Sequence, residues 1–187
     1  AFKAAMLARV RAFSRGGHAA LGSWADGTRP VSLLAEAGGL LNRTPFLSRG
    51  VPGYVAWFSS PALAPSPYES FIYWSKERVS GKASMTATHV TILRDVPGGP
   101  EVLVVGRQLF ATHYMNGSLS VTALVRDASG ARSLVYLNRS RVDLLERWYG
   151  GMVRTMADRR VRSDAATVLA GLKQRLESGE PQPELRR

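Results

Sequence analysis

The chain has 187 residues, 45% hydrophobic and 21% charged, the composition of an ordinary globular protein long enough to bury its own core. It has no cysteine, which excludes disulfides, thiolate metal sites and a cysteine nucleophile. Its 25 Lys+Arg against 14 Asp+Glu give a net charge of +11, which favours anionic partners, and no apolar run approaches the ~20 residues of a membrane-spanning helix.

The basic excess lies at the two ends. Residues 1–60 carry seven basic and two acidic side chains, and residues 139–187 carry eleven and seven, against seven and five between them. Lipid head groups, nucleic acid or an acidic protein would suit such a field. With only four lysines, the excess also fits the arginine bias of a GC-rich genome. The chain opens at Ala1 rather than Met, which leaves room for a removed export signal or anchor.

In chain order, Phe2, Met6, Val10 and Phe13 have helical spacing over 1–13. This segment reads either as a core-packing helix or as a basic membrane-surface helix. A second helix is expected from Thr28-Arg29-Pro30-Val31, with Val31, Leu34, Ala37 and Leu41 as its buried stripe and Gly38-Gly39 weakening its end. Residues 45–58 read as a third, short helical or irregular segment, interrupted by Gly50, Pro52 and Gly53, and Tyr54, Trp57 and Phe58 make it sticky. Pro61, Pro65 and Pro67 make a stiff connector.

Strands follow over 69–78, 85–95, 102–115, 119–126 and 133–139. In the first, Phe71 and Tyr73 share one face and Ile72 and Trp74 the other, so both faces are expected to be covered. The turns are Val96–Pro100, Asn116-Gly117 as a two-residue hairpin turn, and Asp127–Ala131. Helices are expected over 142–160 and 163–176, the second capped by Ser163 or Asp164, and the tail from Gly179 is polar.

The expected fold class is α+β: N-terminal helices (1–60), a five-stranded antiparallel meander (68–140) and a C-terminal helical segment (142–177) packed on it. That makes one domain over 1–178 with a tail at 179–187. Antiparallel order follows because the turns are too short for parallel crossovers.

No G-x-S-x-G elbow, Walker A motif or G-x-G-x-x-G is present, so no catalytic residue is assigned and no cofactor is expected. His89 and His113 fall on adjacent strands. A metal site would need a carboxylate such as Asp95 or Glu101, and those sit at strand ends, so the histidines read as structural or pocket-lining. The pocket candidates are Tyr73, Trp74, His89, Phe110, His113, Tyr114 and Tyr136, set against a filled core as the alternative. Arg147, Arg154, Arg159, Arg160 and Arg162 form a basic row suited to anionic lipid or an acidic partner. No aromatics interleave with it, so specific nucleic-acid binding is not expected.

Arg15-Gly-Gly-His-Ala-Ala-Leu21, Tyr73-Trp-Ser-Lys-Glu77, Thr88-His-Val-Thr-Ile92 and Tyr136-Leu-Asn-Arg-Ser-Arg-Val142 resemble blocks of uncharacterised proteins of GC-rich Gram-negative bacteria, often described as exported. The resemblance implies a periplasmic or otherwise extracytoplasmic location and carries no residue roles; the basic flanks add the expectation of membrane association. The sheet-then-helix order is also similar to START-like helix-grip folds, which implies a hydrophobic ligand or lipid between sheet and C-terminal helix. The competing expectation is an accessory subunit of a larger, membrane-bound assembly, docked through Trp24, Tyr54, Trp57 and Phe58.

Overall fold

The computed structural model describes residues 2–24, 30–59, 68–79, 82–112, 115–142 and 165–179. The helix expected over 142–160, the arginine row from Arg147 to Arg162, the proline connector, His113, Tyr114, the caps Ser163 and Asp164 and the tail beyond Gly179 lie outside the described residues. The chain divides into two compact units, Ala1–Asp143 and Leu144–Arg187, where composition suggests one domain to residue 178.

The first unit is α+β. Helix α1 (Phe2–Gly16) leads into a 3-10 turn (His18–Leu21). A two-residue ribbon, β1 (Ser23–Trp24) with β2 (Val31–Ser32), precedes α2 (Leu33–Asn42), α3 (Pro45–Gly50) and α4 (Pro52–Ser59). Five strands then form an antiparallel meander in chain order: β3 (Glu69–Val79), β4 (Lys82–Arg94), β5 (Val102–Ala111), β6 (Met115–Arg126) and β7 (Arg132–Val142). In the second unit, residues 165–178 form helix α5, whose Val168, Leu172 and Leu176 make an exposed apolar stripe.

The helices of the first unit cover one face of the sheet. The alternation that builds that face is odd-numbered: His89, Thr91 and Leu93 on β4, Leu103, Val105 and Arg107 on β5, and Leu119, Val121 and Ala123 on β6, all buried. Leu40, Leu41, Leu47, Tyr54 and Phe58 pack on it from α2–α4. Phe13, Leu21, Leu33 and Leu109 form a second cluster, and Met6, Ala87 and Phe110 a third, so α1 is a core-packing helix in this structure. Each such large side chain removed from water contributes about 1.5–3 kcal/mol.

Several expectations are corrected. Pro30 and Val31 do not open a helix. Val31 pairs with Trp24, and α2 starts after Ser32, whose Oγ accepts the Ala35 N–H at 3.3 Å. That cap puts Leu33 and Leu40 beside the expected Leu41 in the buried stripe and turns Leu34 to solvent, and the helix runs through Gly38-Gly39 to Asn42. Asn116-Gly117 is not a turn but lies inside β6, where pairing shifts register between Met115 and Gly117. A Cβ on Gly117 would meet Glu36 and Leu40 of α2 at 3.3 and 3.4 Å, so the glycine serves the close approach of a helix. β3 is not covered on both sides. It is an edge strand, and Phe71, Tyr73 and Trp74 are 50%, 44% and 62% exposed. Tyr54 and Phe58, expected as docking surface, are buried, and Trp57 packs edge-on against Tyr68 at 5.4 Å. The Trp24 side chain lies outside the described residues.

Candidate ligand-binding site

Two places gather the polar residues of the first unit. One is inside the core, between the sheet and the helices. The other is the open face, opposite the helices.

The internal cluster centres on Arg107, which is 4% exposed in the middle of an apolar strand. Its Nε donates to His89 Nδ1 at 3.1 Å and Nη1 donates to the Phe58 carbonyl at 3.4 Å. The guanidinium lies over the rings of Phe58, Phe13 and Trp57 at 4.4, 4.9 and 5.4 Å. These cation–π faces, rather than a carboxylate, balance its charge in the described structure. Burial lowers its pKa to about 10. His18 stands beside the same rings, 5.2 Å from Phe58 and 5.6 Å from Phe13, and among the described residues neither of its ring nitrogens has a hydrogen-bond partner. Burial first, and the nearby Arg107 charge second, lower both His18 and His89 to about 3, so both are neutral at pH 7. Burial likewise raises the Tyr54 phenol to about 12. The void that reaches Arg107 under α2 measures about 10 Å³, at most a single water's worth.

The open face follows from the even positions of β4–β7 and the odd positions of β3. Register lines them up in rows across five strands. Toward the β4–β5 turn, Arg94, Val102, Leu124 and Leu134 form one row, and Glu69, Ile92, Val104, Thr122 and Tyr136 the next. The third is Phe71, Val90, Gly106, Ser120 and Asn138. Beyond it the face becomes hydroxylic, with Tyr73, Thr88, Gln108, Ser118 and Ser140, then Ser75 and Thr86. A groove of about 240 Å³ runs over this polar half, with Tyr73 and Tyr136 from the two edge strands among its walls.

The floor of the groove is cross-linked. Ser140 Oγ donates to Asn138 Oδ1 at 2.8 Å and lies 3.0 Å from Ser118 Oγ, Asn138 Nδ2 donates to the Tyr136 hydroxyl at 3.1 Å, and Ser75 and Thr86 hydroxyls meet at 2.8 Å. A Cβ on Gly106 would stand 2.5 Å from Ser120 Oγ, so any side chain there would intrude on the floor. No Asp, Glu, His, Lys or Arg is among the described residues that line the groove, in a chain of net charge +11.

The sequence candidates therefore separate. Tyr73 and Tyr136 share the groove. Trp74 is on the helix-side face of β3, well exposed. His89 and Phe110 are buried in the core, His89 against Arg107 and Phe110 with Met6 and Ala87. His113 and Tyr114 lie outside the described residues. Asp95 and Glu101 flank the β4–β5 turn, where Glu101 is held below the usual carboxylate range by Arg126 and Arg132. Among the described residues no group of three side chains could hold a metal. Neither Arg107 nor His18 is among the sequence candidates, although an arginine inside Val-Leu-Val-Val-Gly-Arg-Gln-Leu-Phe is a legible anomaly. The hydroxyls at 118, 120 and 122 were legible as alternation. A wider surface depression, about 620 Å³ between α3 and the β4–β5 turn, gathers none of the candidates. No protein-family profile, curated protein or solved structure matches this chain.

Proposed function

We propose that this protein is a non-enzymatic, extracytoplasmic binding module that holds a lipid-like ligand against the open face of its sheet. The observation that carries the reading is the gradient on that face. Ile92, Val102, Val104, Leu124 and Leu134 supply apolar surface for a hydrocarbon chain, and the hydroxyl and amide rows beside them supply a place for a polar end. The extracytoplasmic location rests on the resemblance to exported proteins. Native mass spectrometry of the purified protein after exposure to a lipid extract is expected to show a bound lipid, and Val104→Glu is expected to lose it with thermal stability retained. An equal lipid adduct on the variant would place the ligand elsewhere.

A second reading, an accessory subunit of a larger assembly, is favoured by Trp74 and Val135. Both sit on the helix-side face of the edge strands and are more than half exposed. The same spectra test it: a monomer that carries no protein partner from gently lysed cells argues against docking.

The row Arg147, Arg154, Arg159, Arg160 and Arg162 is proposed as the contact with an anionic membrane. Each basic residue near such a surface contributes about 1 kcal/mol, screened by salt. Replacing Arg154, Arg159, Arg160 and Arg162 by Gln is expected to weaken binding to anionic liposomes at low salt. Identical binding of variant and parent across a salt titration would show a merely solvated row.

A further inference from the structure

We infer that the polar half of the groove recognises an uncharged, polyhydroxylated head group, a sugar or glycerol unit, so that the ligand is a neutral glycolipid-like amphipath. This rests on the binding-module reading above and adds the chemical class of the head.

The first argument is charge. A phosphate or carboxylate head would call for Arg or Lys within the groove, and a cationic head for Asp or Glu. The described lining offers neither, even though basic residues outnumber acidic ones by 25 to 14 in the whole chain. Arg107 is next in sequence to Gly106, but it belongs to the opposite face of the sheet and is spent on His89 and the Phe58 carbonyl. An ion placed on this floor would exchange water for neutral hydroxyls. A neutral head escapes that cost.

The second argument is the hydrogen-bond inventory. Thr88, Ser118, Ser120 and Ser140 present hydroxyl oxygens to the groove, and Asn138 presents an amide that carries donor and acceptor on one group. The Ser140 and Ser120 protons go to Asn138 Oδ1 and the Gly106 carbonyl, so these hydroxyls meet a ligand as acceptors and a ligand hydroxyl supplies the proton. The floor is also oriented before a ligand arrives. Asn138 receives from Ser140 and donates to Tyr136, so the Tyr136 phenol keeps its own proton available for a ligand oxygen.

The third argument is shape. Tyr73 and Tyr136 rise from opposite edge strands with 44% and 54% exposure. Their rings offer apolar surface to the C–H faces of a sugar ring while the floor meets its hydroxyls. Gly106 keeps the centre of the floor low between them. The volume, about 240 Å³, suits a head group, and the chain would continue over Val104 and Leu124.

The test uses the full chain and single-chain amphipaths below their micelle concentrations, all with an octyl tail: octyl β-glucoside, octyl phosphocholine, octyl sulfate and octyl tetraethylene glycol. Calorimetric titration is expected to give the glucoside at least tenfold tighter binding than the others. Asn138→Leu, at an exposed position the fold tolerates, is expected to abolish that preference without weakening the other three. Equal affinity across the four heads, or a preference for phosphocholine or sulfate, overturns the head-group assignment and leaves the lipid reading intact. Binding of methyl β-glucoside as tight as that of octyl β-glucoside removes the lipid and keeps the sugar. Failure to bind any of the probes overturns both.

Discussion

Acidification is expected to unfold the first unit well above the pH at which most carboxylates titrate. His18 and His89 have folded pKa values of about 3, against 6.5 for an unperturbed histidine. Both are lowered, so the unfolded chain binds the extra protons. Stability is therefore fully present above about pH 6.5 and declines as pH falls toward 3. Each unit of depression corresponds to about 1.4 kcal/mol, so full protonation of one histidine would cost on the order of 5 kcal/mol. The two are not additive, because His89 itself contributes to holding His18 down. A domain has about 5–15 kcal/mol in total. Unfolding should thus intervene before either histidine reaches its folded value. Denaturant melts between pH 7 and 5 isolate the effect, since Glu101 and Asp127 have their own lowered pKa values and respond only at lower pH. Arg107→Met should reduce the total stability lost on acidification, since the guanidinium is the second cause of the depression at both sites. A flat stability profile from pH 7 to 5 would show that the histidines are not buried as neutral rings.

Phe13→Ala is expected to cost about 3–5 kcal/mol, the range for emptying a buried aromatic site. Phe13 is 1% exposed and sits at the joint between α1, the 3-10 turn and β5. Its ring meets His18 at 5.6 Å, His89 at 4.9 Å and the Arg107 guanidinium at 4.9 Å. Truncation removes packing and also one of three aromatic faces that balance a buried cation, so the loss should lie at the upper end of that range. Phe13→Leu, which keeps most of the volume, should lose markedly less. Urea unfolding of both variants at pH 7.5 measures this. A loss below ~1 kcal/mol for the alanine variant would mean that α1 is not seated on the sheet.

The sheet was legible because strand alternation is local. Phe71 and Tyr73 against Ile72 and Trp74 separate onto opposite faces, the 96–100 and 127–131 turns fall where expected, and antiparallel order follows from turns too short for anything else. The side-chain network at Asp127, whose Oδ1 accepts from the Ser129 and Ala131 amides at 2.8 and 3.0 Å, is itself a local motif. Where local chemistry was ambiguous, it misled. Asn-Gly is a strong hairpin signal, yet at 116–117 it was spent on a register shift beneath α2.

What the residues determined alone was therefore the class of fold, the meander, and the alternation that puts hydroxyls on one face. Periodicity and turn propensity are properties of neighbours in the chain. Which face the helices cover, and so which polar residues become a buried cluster and which an open floor, was decided by packing. His89 and Thr88 are adjacent in sequence, and the two-residue period of the strand sends one into the core against Arg107 and the other to the groove. His18 reaches that same core from 71 residues away in sequence, because the 3-10 turn after α1 folds it over Phe58. No pattern within a strand or a helix encodes such a meeting. It arises only when the apolar faces of α1 and α4 find the same side of the sheet.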